Sequence, residues 1–406
     1  MVTALVYLAL AAWAGRKKTP PMAYFPELAA AFLEGRLDLG SPQVIRDLTF
    51  YQGVYYLAFS PLPALLMLPE VAIQGQAGVN TISFSVIFGA TTVTLLFLFL
   101  EELAARGWTR LSTQDNLWLT GLFAIGSVHA YMSITGTVWL LSQIVGCTFV
   151  AMAAWLALRC SSPFLAGSAL GLAVLARPSL VLLWPFFVAV AAQKSRGEGL
   201  ERVGHEVPSG TDLPATPVHP VRWALLSLVP VAAALLMLLL YNLARFDNPF
   251  DFGYASMSVS PVLEDDLAAY GQFDLHFVPR NLKAMFLATP VWNEACRAWT
   301  PDPWGMSLLL TMPVLVYLPR AVLRNLWTLG AWAGIGLTLV PLLLYHSTGW
   351  YQFGYRFGLD FLIPVIGLLA VAAGTRLSSF FRGLIIIGIG VNLWGLAWFF
   401  EKWCAA

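Results

Sequence analysis

Long apolar runs separated by short polar segments make up most of this chain. At a rise of about 1.5 Å per residue, an α-helix needs about 20 largely apolar residues to cross the roughly 30 Å hydrocarbon core of a bilayer. The pattern therefore predicts an all-α polytopic membrane protein with about eleven transmembrane helices. The expected spans lie near residues 1–15, 80–101, 118–132, 136–158, 163–176, 178–193, 222–243, 306–318, 325–345, 359–374 and 383–400.

The composition supports this class. Hydrophobic residues make up 58% of the 406 residues and charged residues 11%, and the mean hydropathy is +0.72. Because one helical bundle can absorb the whole chain, we predict a single membrane domain over residues 1–406. A net charge of +1 without a basic tail gives no reason to expect a nucleic-acid partner. Met1 to Gly15 lacks the basic residues and cleavage site of a signal peptide, so we interpret it as part of a first helix.

Basic residues alternate between the loops as the positive-inside rule requires. One set of loops is predicted to be cytoplasmic, including a linker over 194–221, and its basic residues are Arg106, Arg110, Arg159, Lys194, Arg196, Arg202, Arg222, Arg320, Arg324, Arg376 and Arg382. The opposite set is predicted to face outward and comprises 16–79, 133–135, 244–305 and 346–358. Arg16, Lys17 and Lys18 are the discordant cluster.

The first outer loop carries a short amphipathic pattern. Phe25, Leu28, Ala29 and Phe32 recur at helical spacing, and Gly35 is a typical stop. The spacing predicts a surface helix over about 24–35 that lies along the membrane. Polar residues of this loop that follow the helix are then candidates for an outer-face site.

Three tyrosines follow in that loop, interleaved with charged residues. Tyr51, Tyr55 and Tyr56 stand close to Arg46 and Asp47. Aromatic faces that stack on sugar rings, beside carboxylates that accept hydroxyl protons, are expected of a carbohydrate site. The alternative is an aromatic belt at the membrane interface.

A second polar cluster lies between two apolar runs near the C-terminal end. Gln352, Tyr355, Arg356 and Asp360 follow His346 within one short segment. Ionisable groups at membrane depth are costly and mark functional sites by default, so we predict that these residues contact a substrate. The alternative is a structural Arg356–Asp360 pair at i, i+4 spacing.

These segments together resemble the bacterial GT-C superfamily of integral-membrane glycosyltransferases, which includes protein mannosyltransferases and lipid A aminoarabinose transferases. The resemblance rests on the surface helix ending Gly35-Arg36-Leu37, on Asp47-Leu-Thr-Phe-Tyr-Gln-Gly with Tyr55-Tyr56, and on Gly167 through Pro178. It also includes the Tyr241 to Tyr254 junction and the Gln352 to Asp360 segment.

The resemblance implies a GT-C-like bundle in the bacterial inner membrane, with its active site facing the periplasm. Such enzymes move a sugar from a polyprenyl-phosphate donor to a hydroxyl of a lipid, glycan or protein, with inversion. The reaction requires a base for the acceptor and cations for the phosphate. Our cation candidates are Arg356, Arg245, Arg177 and Arg280, of which Arg177 has an alternative role as a turn residue at the interface.

The base is less clearly marked by the resemblance. Better-known members carry an acidic residue directly after the first span, where this chain reads Thr19-Pro20-Pro21-Met22. We predict Asp47 as the base, followed by Asp38 and Glu27. The sugar and acceptor contacts are expected from Tyr51, Tyr55, Tyr56, Gln352, Tyr355, His346 and Asp360.

Metal binding and other functions remain as alternatives. No zinc-like spacing is present, and Glu264-Asp265-Asp266 is either a divalent-cation ligand set or a solvated turn. We expect no certain cofactor. A flippase for a polyprenyl-linked sugar and a catalytically silent GT-C-like assembly subunit are the competing functions, although paired broken helices typical of transporters are not evident in the sequence.

Overall fold

The computed structural model describes residues 1–16, 19–196, 219–321 and 325–401. Its α-helices are α1 (Val2–Trp13), α2 (Phe25–Leu33), α3 (Leu62–Gln74), α4 (Thr81–Ala105), α5 (Thr113–Ala124), α6 (His129–Ser133), α7 (Val138–Arg159), α8 (Pro163–Ala176), α9 (Trp184–Ser195), α10 (Pro220–Phe246), α11 (Pro261–Tyr270), α12 (Val278–Leu282), α13 (Leu308–Thr311), α14 (Leu326–Leu344), α15 (Leu362–Ala372) and α16 (Ser379–Glu401).

Shorter elements connect these helices. The 3-10 helices are Gln76–Gly78, Pro178–Leu183, Tyr254–Ser256, Leu275–Phe277, Pro313–Arg320 and Arg356–Phe361, and Lys283–Leu287 is a π-helix. Two antiparallel hairpins are formed by β1 (Leu48–Tyr51) with β2 (Val54–Leu57), and by β3 (Val291–Asn293) with β4 (Ala298–Thr300). The fold is thus mostly helical, as predicted, and the described residues add these two short hairpins.

Within the described residues, six helical segments are long and apolar enough to cross a bilayer: Thr81–Ala105, Val138–Arg159, Pro178–Ser195, Pro220–Phe246, Leu326–Leu344 and Ser379–Phe400. The other expected spans are shorter or interrupted. The 118–132 run divides between α5 and α6, and the 306–318 run divides between α13 and a 3-10 helix. Pro313 lies two residues after the end of α13, and proline cannot donate the backbone hydrogen bond that would continue the helix.

Helix α7 lies at the centre of the bundle. In its most apolar window 83% of the residues are buried, against 28% for the peripheral α10. A helix that is apolar on every face is expected in the interior of a bundle. Small polar groups join it to α4, where the hydroxyls of Thr92 and Thr148 lie 2.6 Å apart.

Basic side chains of the predicted cytoplasmic loops meet at one end of the bundle. Lys194 donates to the carbonyls of Leu158 at 2.7 Å and Cys160 at 2.8 Å. A cation is favoured there because the C-terminal end of α7 carries the negative end of the helix dipole. Arg382 pairs with Asp115 at 2.9 Å. Residues 197–218 of the predicted linker over 194–221 lie outside the part of the chain that the structure describes.

The predicted outer loops are more ordered than the sequence indicated. Helix α2 occupies Phe25–Leu33, inside the predicted range of about 24–35. The stretch that we expected to be loop contains the β1–β2 hairpin and the apolar helix α3. Helix α3 has 13 residues, too few to cross a bilayer. Pro69 lies within it, and a proline in the interior of a segment argues against a helix when only the sequence is known.

Close contact between α8 and α10 depends on two glycines one helical turn apart. A Cβ atom on Gly167 would lie 2.2 Å from the carbonyl oxygen of Ser227, and one on Gly171 would lie 2.9 Å from that of Pro230. Small residues at i, i+4 spacing allow transmembrane helices to approach this closely.

We predict that Gly167→Ala lowers the melting temperature of the purified protein in detergent, because overpacking typically costs about 1–3 kcal/mol. The matched control is Gly336→Ala in α14, where an added Cβ would meet nothing within 4 Å. Equal melting temperatures for the two variants would contradict close packing at Gly167.

Candidate active site

A cavity of about 310 Å³ lies where α7, α8 and α14 meet the segments predicted to face outward, 16–79, 244–305 and 346–358. Its lining combines three charged residues with many aromatic and small polar ones. These lining residues are Asp47, Phe59, Ser60, Trp139, Ser142, Ala176, Arg177, Pro178, Ser179, Phe252, Tyr254, Met257, Val259, Leu263, Gln272, Phe273, Pro341, Leu342, Tyr345, His346, Ser347, Trp350, Arg356 and Phe357.

Asp47 reaches the cavity from the backbone turn before β1. Its φ of 61° is in the left-handed region, which aspartate tolerates better than most residues. The turn is fixed on two sides: the Asp47 backbone N–H donates to the carbonyl of Ser258 at 2.7 Å, and the Tyr24 hydroxyl donates to the carbonyl of Arg46 at 2.6 Å. Tyr24 of the 16–79 segment and Ser258 of the 244–305 segment therefore fix the backbone that carries this carboxylate.

Burial raises the pKa of the Asp47 carboxyl to about 6. Removing a carboxylate from water disfavours its charged form, whereas nearby cations and hydrogen-bond donors favour it. Arg46, Arg356 and a hydrogen bond from Trp139 act in that second direction and only partly offset the effect of burial. The carboxyl is therefore mostly ionised at pH 7, with a pKa close to neutrality.

Arg356 begins the 3-10 helix Arg356–Phe361 and is 7% exposed. Its Nε donates to the carbonyl of Gly349 at 3.1 Å, and its guanidinium lies 5.0 Å from the centre of the Phe357 ring. Among the residues that the structure describes, none hydrogen-bonds to its two terminal nitrogens. That end of the guanidinium is available to a ligand in the cavity.

Gln352 holds the segment that carries Arg356. Its Nε2 donates to the carbonyls of Trp304 at 2.8 Å and Thr348 at 2.7 Å, and its Oε1 accepts from the backbone N–H of Arg356 at 2.9 Å. Gly349 has a φ of 110°, and a Cβ atom there would lie 2.8 Å from Arg356 Nε. Gln352 is fully buried outside the lining and positions Arg356, and its predicted sugar contact stays a prediction.

Asp360 pairs with Arg177 rather than with Arg356. Its Oδ2 accepts from Arg177 Nη2 at 2.7 Å and Nε at 3.2 Å, and its Oδ1 accepts from Gln143 Nε2 at 3.2 Å. The Arg177 side chain is 17% exposed and that of Asp360 is 2% exposed. The structure thus corrects the i, i+4 alternative, and Asp360 lies behind the lining as the partner of a lining residue.

Two of the four predicted phosphate-binding arginines do not line the cavity. Arg245 is buried and donates to the carbonyl of Leu57 at 2.6 Å and to Asn242 Oδ1 at 2.7 Å, which fixes α10 to β2. Arg280 pairs with Asp266 and donates to the backbone carbonyl of His346. Both are therefore structural contacts beside the site in this fold.

The other candidate carboxylates lie away from the cavity. Asp38 accepts from Arg36 at 3.1 Å and from the Gly40 backbone N–H at 2.9 Å. Glu27 is half-buried in the first turn of α2, where a negative charge is favoured by the helix dipole, and burial raises its pKa. Neither lines the cavity, which leaves Asp47 as the candidate base there.

The predicted tyrosine contacts also lie outside the lining. Tyr51 and Tyr56 pack edge-on against Phe246, with ring centres 5.7 and 5.3 Å from it. Tyr55 packs on Phe50 at 5.0 Å, and Tyr355 is buried against Phe357. Tyr51 and Tyr56 thus pack the β1–β2 hairpin against the end of α10, and different aromatic residues line the cavity.

His346 does line the cavity. Burial, followed by the positive charge of Arg280, lowers the pKa of its imidazole to about 4, so the ring is neutral at pH 7. Its backbone N–H donates to the carbonyl of Gln272 at 3.0 Å. Its Nδ1 is buried and has no hydrogen-bond partner within the described chain.

Several lining residues were not predicted from the sequence. Trp139, Tyr254 and Tyr345 come from separate elements, and in the sequence they are indistinguishable from aromatic residues of the core. Gln143, which contacts both Asp360 and the Arg356 carbonyl, is a polar residue inside an apolar span. That position was the available signal, since polar groups in such spans are costly.

The acidic run at 264–266 is helical rather than a turn. It lies on α11, where Asp266 is engaged by Arg280. Across residues 1–16, 19–196, 219–321 and 325–401, no group of three His, Cys, Asp or Glu side chains is arranged to hold a metal ion.

No protein-family model and no curated protein matches this chain. Among solved structures, it is similar to an oligosaccharyltransferase of Archaeoglobus fulgidus that was crystallised with a tethered acceptor peptide containing the NVT sequon. The identity is 15% and the TM-score 0.41, and the match covers 98% of this chain and 55% of that one. The chain thus spans about half the length of that protein.

We predict that Arg177 and Asp360 are energetically coupled. Arg177→Ala should destabilise the folded protein by about 3 kcal/mol, because it leaves a buried carboxylate without its cation. The double variant with Asp360→Ala should cost less than the sum of the two single changes. Thermal unfolding in detergent measures the cycle, and the same cycle with Arg356→Ala is the comparison. A larger coupling of Asp360 to Arg356 than to Arg177 would refute the pairing.

Proposed function

We propose that this chain is a membrane glycosyltransferase of the GT-C type. It transfers a sugar from a polyprenyl-phosphate donor to a hydroxyl of a lipid, glycan or protein on the outer face of a bacterial inner membrane. The observation that carries this proposal is the cavity, in which an ionisable carboxyl with a pKa near neutrality and an available guanidinium line one aromatic space.

Asp47 is the proposed base. A general base works best when its pKa lies near the working pH, because it is then ionised yet still accepts a proton readily. Burial provides this property for Asp47. In the proposed step, the carboxylate takes the acceptor hydroxyl proton while the acceptor oxygen bonds to the anomeric carbon.

Arg356 is the proposed ligand of the leaving phosphate. A guanidinium presents two parallel donors to two phosphate oxygens, and such charge-assisted bonds stabilise the charge that develops as the glycosidic bond breaks. Gln352 accepts from the Arg356 backbone N–H and the Gly349 carbonyl accepts from Arg356 Nε, so the terminal nitrogens are oriented before a donor binds. Preorganised donors avoid a reorganisation cost during the reaction.

Aromatic and neutral polar groups are suited to the sugar. The rings of Trp139, Tyr254, Tyr345 and Trp350 offer flat apolar surfaces, and Ser347 is among the hydroxyl groups that can exchange hydrogen bonds with sugar hydroxyls. Because Asp47 and Arg356 come from segments far apart in the chain, base and phosphate ligand are on separate elements. In an inverting displacement the nucleophile and the leaving group lie on opposite sides of the anomeric carbon, so the proposal has Asp47 act on the acceptor side and Arg356 on the phosphate side.

We expect Asp47→Asn to reduce kcat by about 10²–10⁴-fold with little change in donor affinity, because the amide keeps the shape and loses the proton acceptor. In the unmutated protein kcat/KM should fall as the pH drops through about 6, since protonation removes the base. The measurement is transfer from a polyprenyl-phosphate sugar between pH 5 and 8, with Asp38→Asn as the control. Near-normal turnover by Asp47→Asn would exclude this role.

A phosphate-binding role for Arg356 predicts a graded loss. Arg356→Lys keeps the charge but not the two-pronged geometry, whereas Arg356→Ala removes both, so donor affinity should fall modestly in the first and by about 10- to 100-fold in the second. Donor binding and melting temperature are measured together, with Arg36→Ala on the exposed surface as the control. Unchanged donor binding with a lowered melting temperature would assign Arg356 a structural role only.

The assay also separates transfer from transport. Reconstituted protein that moves the labelled donor across a vesicle membrane without transferring its sugar would favour the flippase alternative. Protein that binds the donor and catalyses neither process would indicate a silent assembly subunit.

A further inference from the structure

The charges around the cavity restrict the sugar that the site accepts. This inference rests on the proposed function. Among the lining residues, the fixed charges belong to Asp47, Arg177 and Arg356. His346 also lines the cavity and is neutral at pH 7, because burial and Arg280 lower its pKa to about 4. The lining therefore presents two cations and one anion.

The charge of Arg177 is already balanced from behind the cavity wall. Its Nε and Nη2 both donate to the buried Asp360, at 3.2 and 2.7 Å. Asp360 is in turn held by Gln143. A ligand anion near Arg177 would meet an ion pair with little net charge, so this guanidinium is poorly suited to bind a second negative group.

In the proposed function, the donor phosphate forms its ion pair with Arg356. A polyprenyl-phosphate sugar is a phosphodiester with a single negative charge. Once that charge lies on Arg356, the remaining charge of the lining is the carboxylate of Asp47, which Arg46 stabilises from outside the lining. The sugar is left facing this carboxylate, aromatic rings and neutral groups such as Ser60, Ser347 and Gln272.

Either sign of charge on the sugar would conflict with this arrangement. An ammonium group would require a carboxylate, and pairing with Asp47 would lower the basicity of the group that must accept the acceptor proton. A carboxylate on the sugar would lie beside the like charge of Asp47 without a cation of its own, and like charges at close range disfavour each other's ionised form. A neutral sugar avoids both conflicts and can stack on the aromatic rings.

We propose that the donor carries an uncharged sugar, a neutral hexose, pentose or N-acetylated amino sugar, and that the site rejects protonated amino sugars and uronic acids. Selection comes from the charge balance at the wall, in which Asp360 neutralises Arg177 and Asp47 is reserved for the acceptor proton. Shape and hydrogen bonds then select among neutral sugars.

The test uses the purified full chain in detergent at pH 7 and a set of short-chain polyprenyl-phosphate sugars. The key comparison is between a neutral sugar and its analogues in which one hydroxyl is replaced by an amine or the hydroxymethyl by a carboxylate. We expect the neutral and N-acetylated donors to bind at least about tenfold more tightly than the amine and carboxylate analogues. A charged donor that binds or is transferred as well as its neutral counterpart would overturn the proposal.

Bare polyprenyl phosphate is the probe that separates this proposal from the proposed function. Binding of the bare lipid phosphate together with loss of preference among sugars would overturn the sugar assignment alone. If neither the bare phosphate nor any sugar donor binds, the proposed function fails, and the sugar assignment fails with it.

A second variant tests the charge balance directly. Asp360→Asn keeps the shape of the side chain but leaves the charge of Arg177 unbalanced, so it should improve the affinity for the carboxylate-bearing donor relative to the neutral one by at least about tenfold. Variant protein that is shown to be folded by its melting curve and yet keeps the original ratio would refute the role of the Arg177–Asp360 pair. Should the variant not fold, the donor comparison with the unmutated chain decides.

Discussion

The buried ion pair between Arg177 and Asp360 is the contact on which the cavity depends. It joins the C-terminal end of α8 to the 3-10 helix that begins with Arg356, and Gln143 of α7 satisfies the second oxygen of the carboxylate. Breaking such a pair leaves a buried charge without compensation, so these segments keep their relative positions only together. The pair also neutralises one guanidinium at the wall and leaves the terminal nitrogens of Arg356 for a ligand.

The opposite wall is held by backbone contacts between the outer segments. Asp47 is fixed by Ser258 from the second outer segment, while Thr49 donates to the carbonyl of Gly253 at 2.6 Å. These contacts pack the turn before β1 against residues 253–258 and leave Asp47 partly buried. The same burial that shapes the space therefore raises the pKa of the carboxyl, which connects the packing of the outer segments to the proposed acid-base chemistry.

Much of the architecture follows from the solvent that the chain meets. Apolar runs had to form helices, because backbone groups in lipid must be hydrogen-bonded within the protein, and the long runs became the six helices that can cross a bilayer. Charged residues beside such runs are costly, so Asp47, Arg177, Arg356 and His346 stood out in the sequence, and in the structure all four line one cavity. Element lengths were less predictable, as the apolar helix α3 within an expected loop illustrates.

The pattern of apolar and charged positions was thus enough to establish a helical membrane bundle and the residue types of a polar outer site. Three-dimensional packing decided which of those residues pair with one another. Asp360 pairs with Arg177, 183 positions away, instead of with its neighbour Arg356. Gln352 and Arg245 donate hydrogen bonds to backbone carbonyls. The physical reason is that pairing depends on distances through space and on which polar groups burial leaves to be satisfied, and neither is encoded in local spacing. Trp139 and Tyr254 show the same limit, because only the folded arrangement distinguishes an aromatic residue that lines a cavity from one that fills a core.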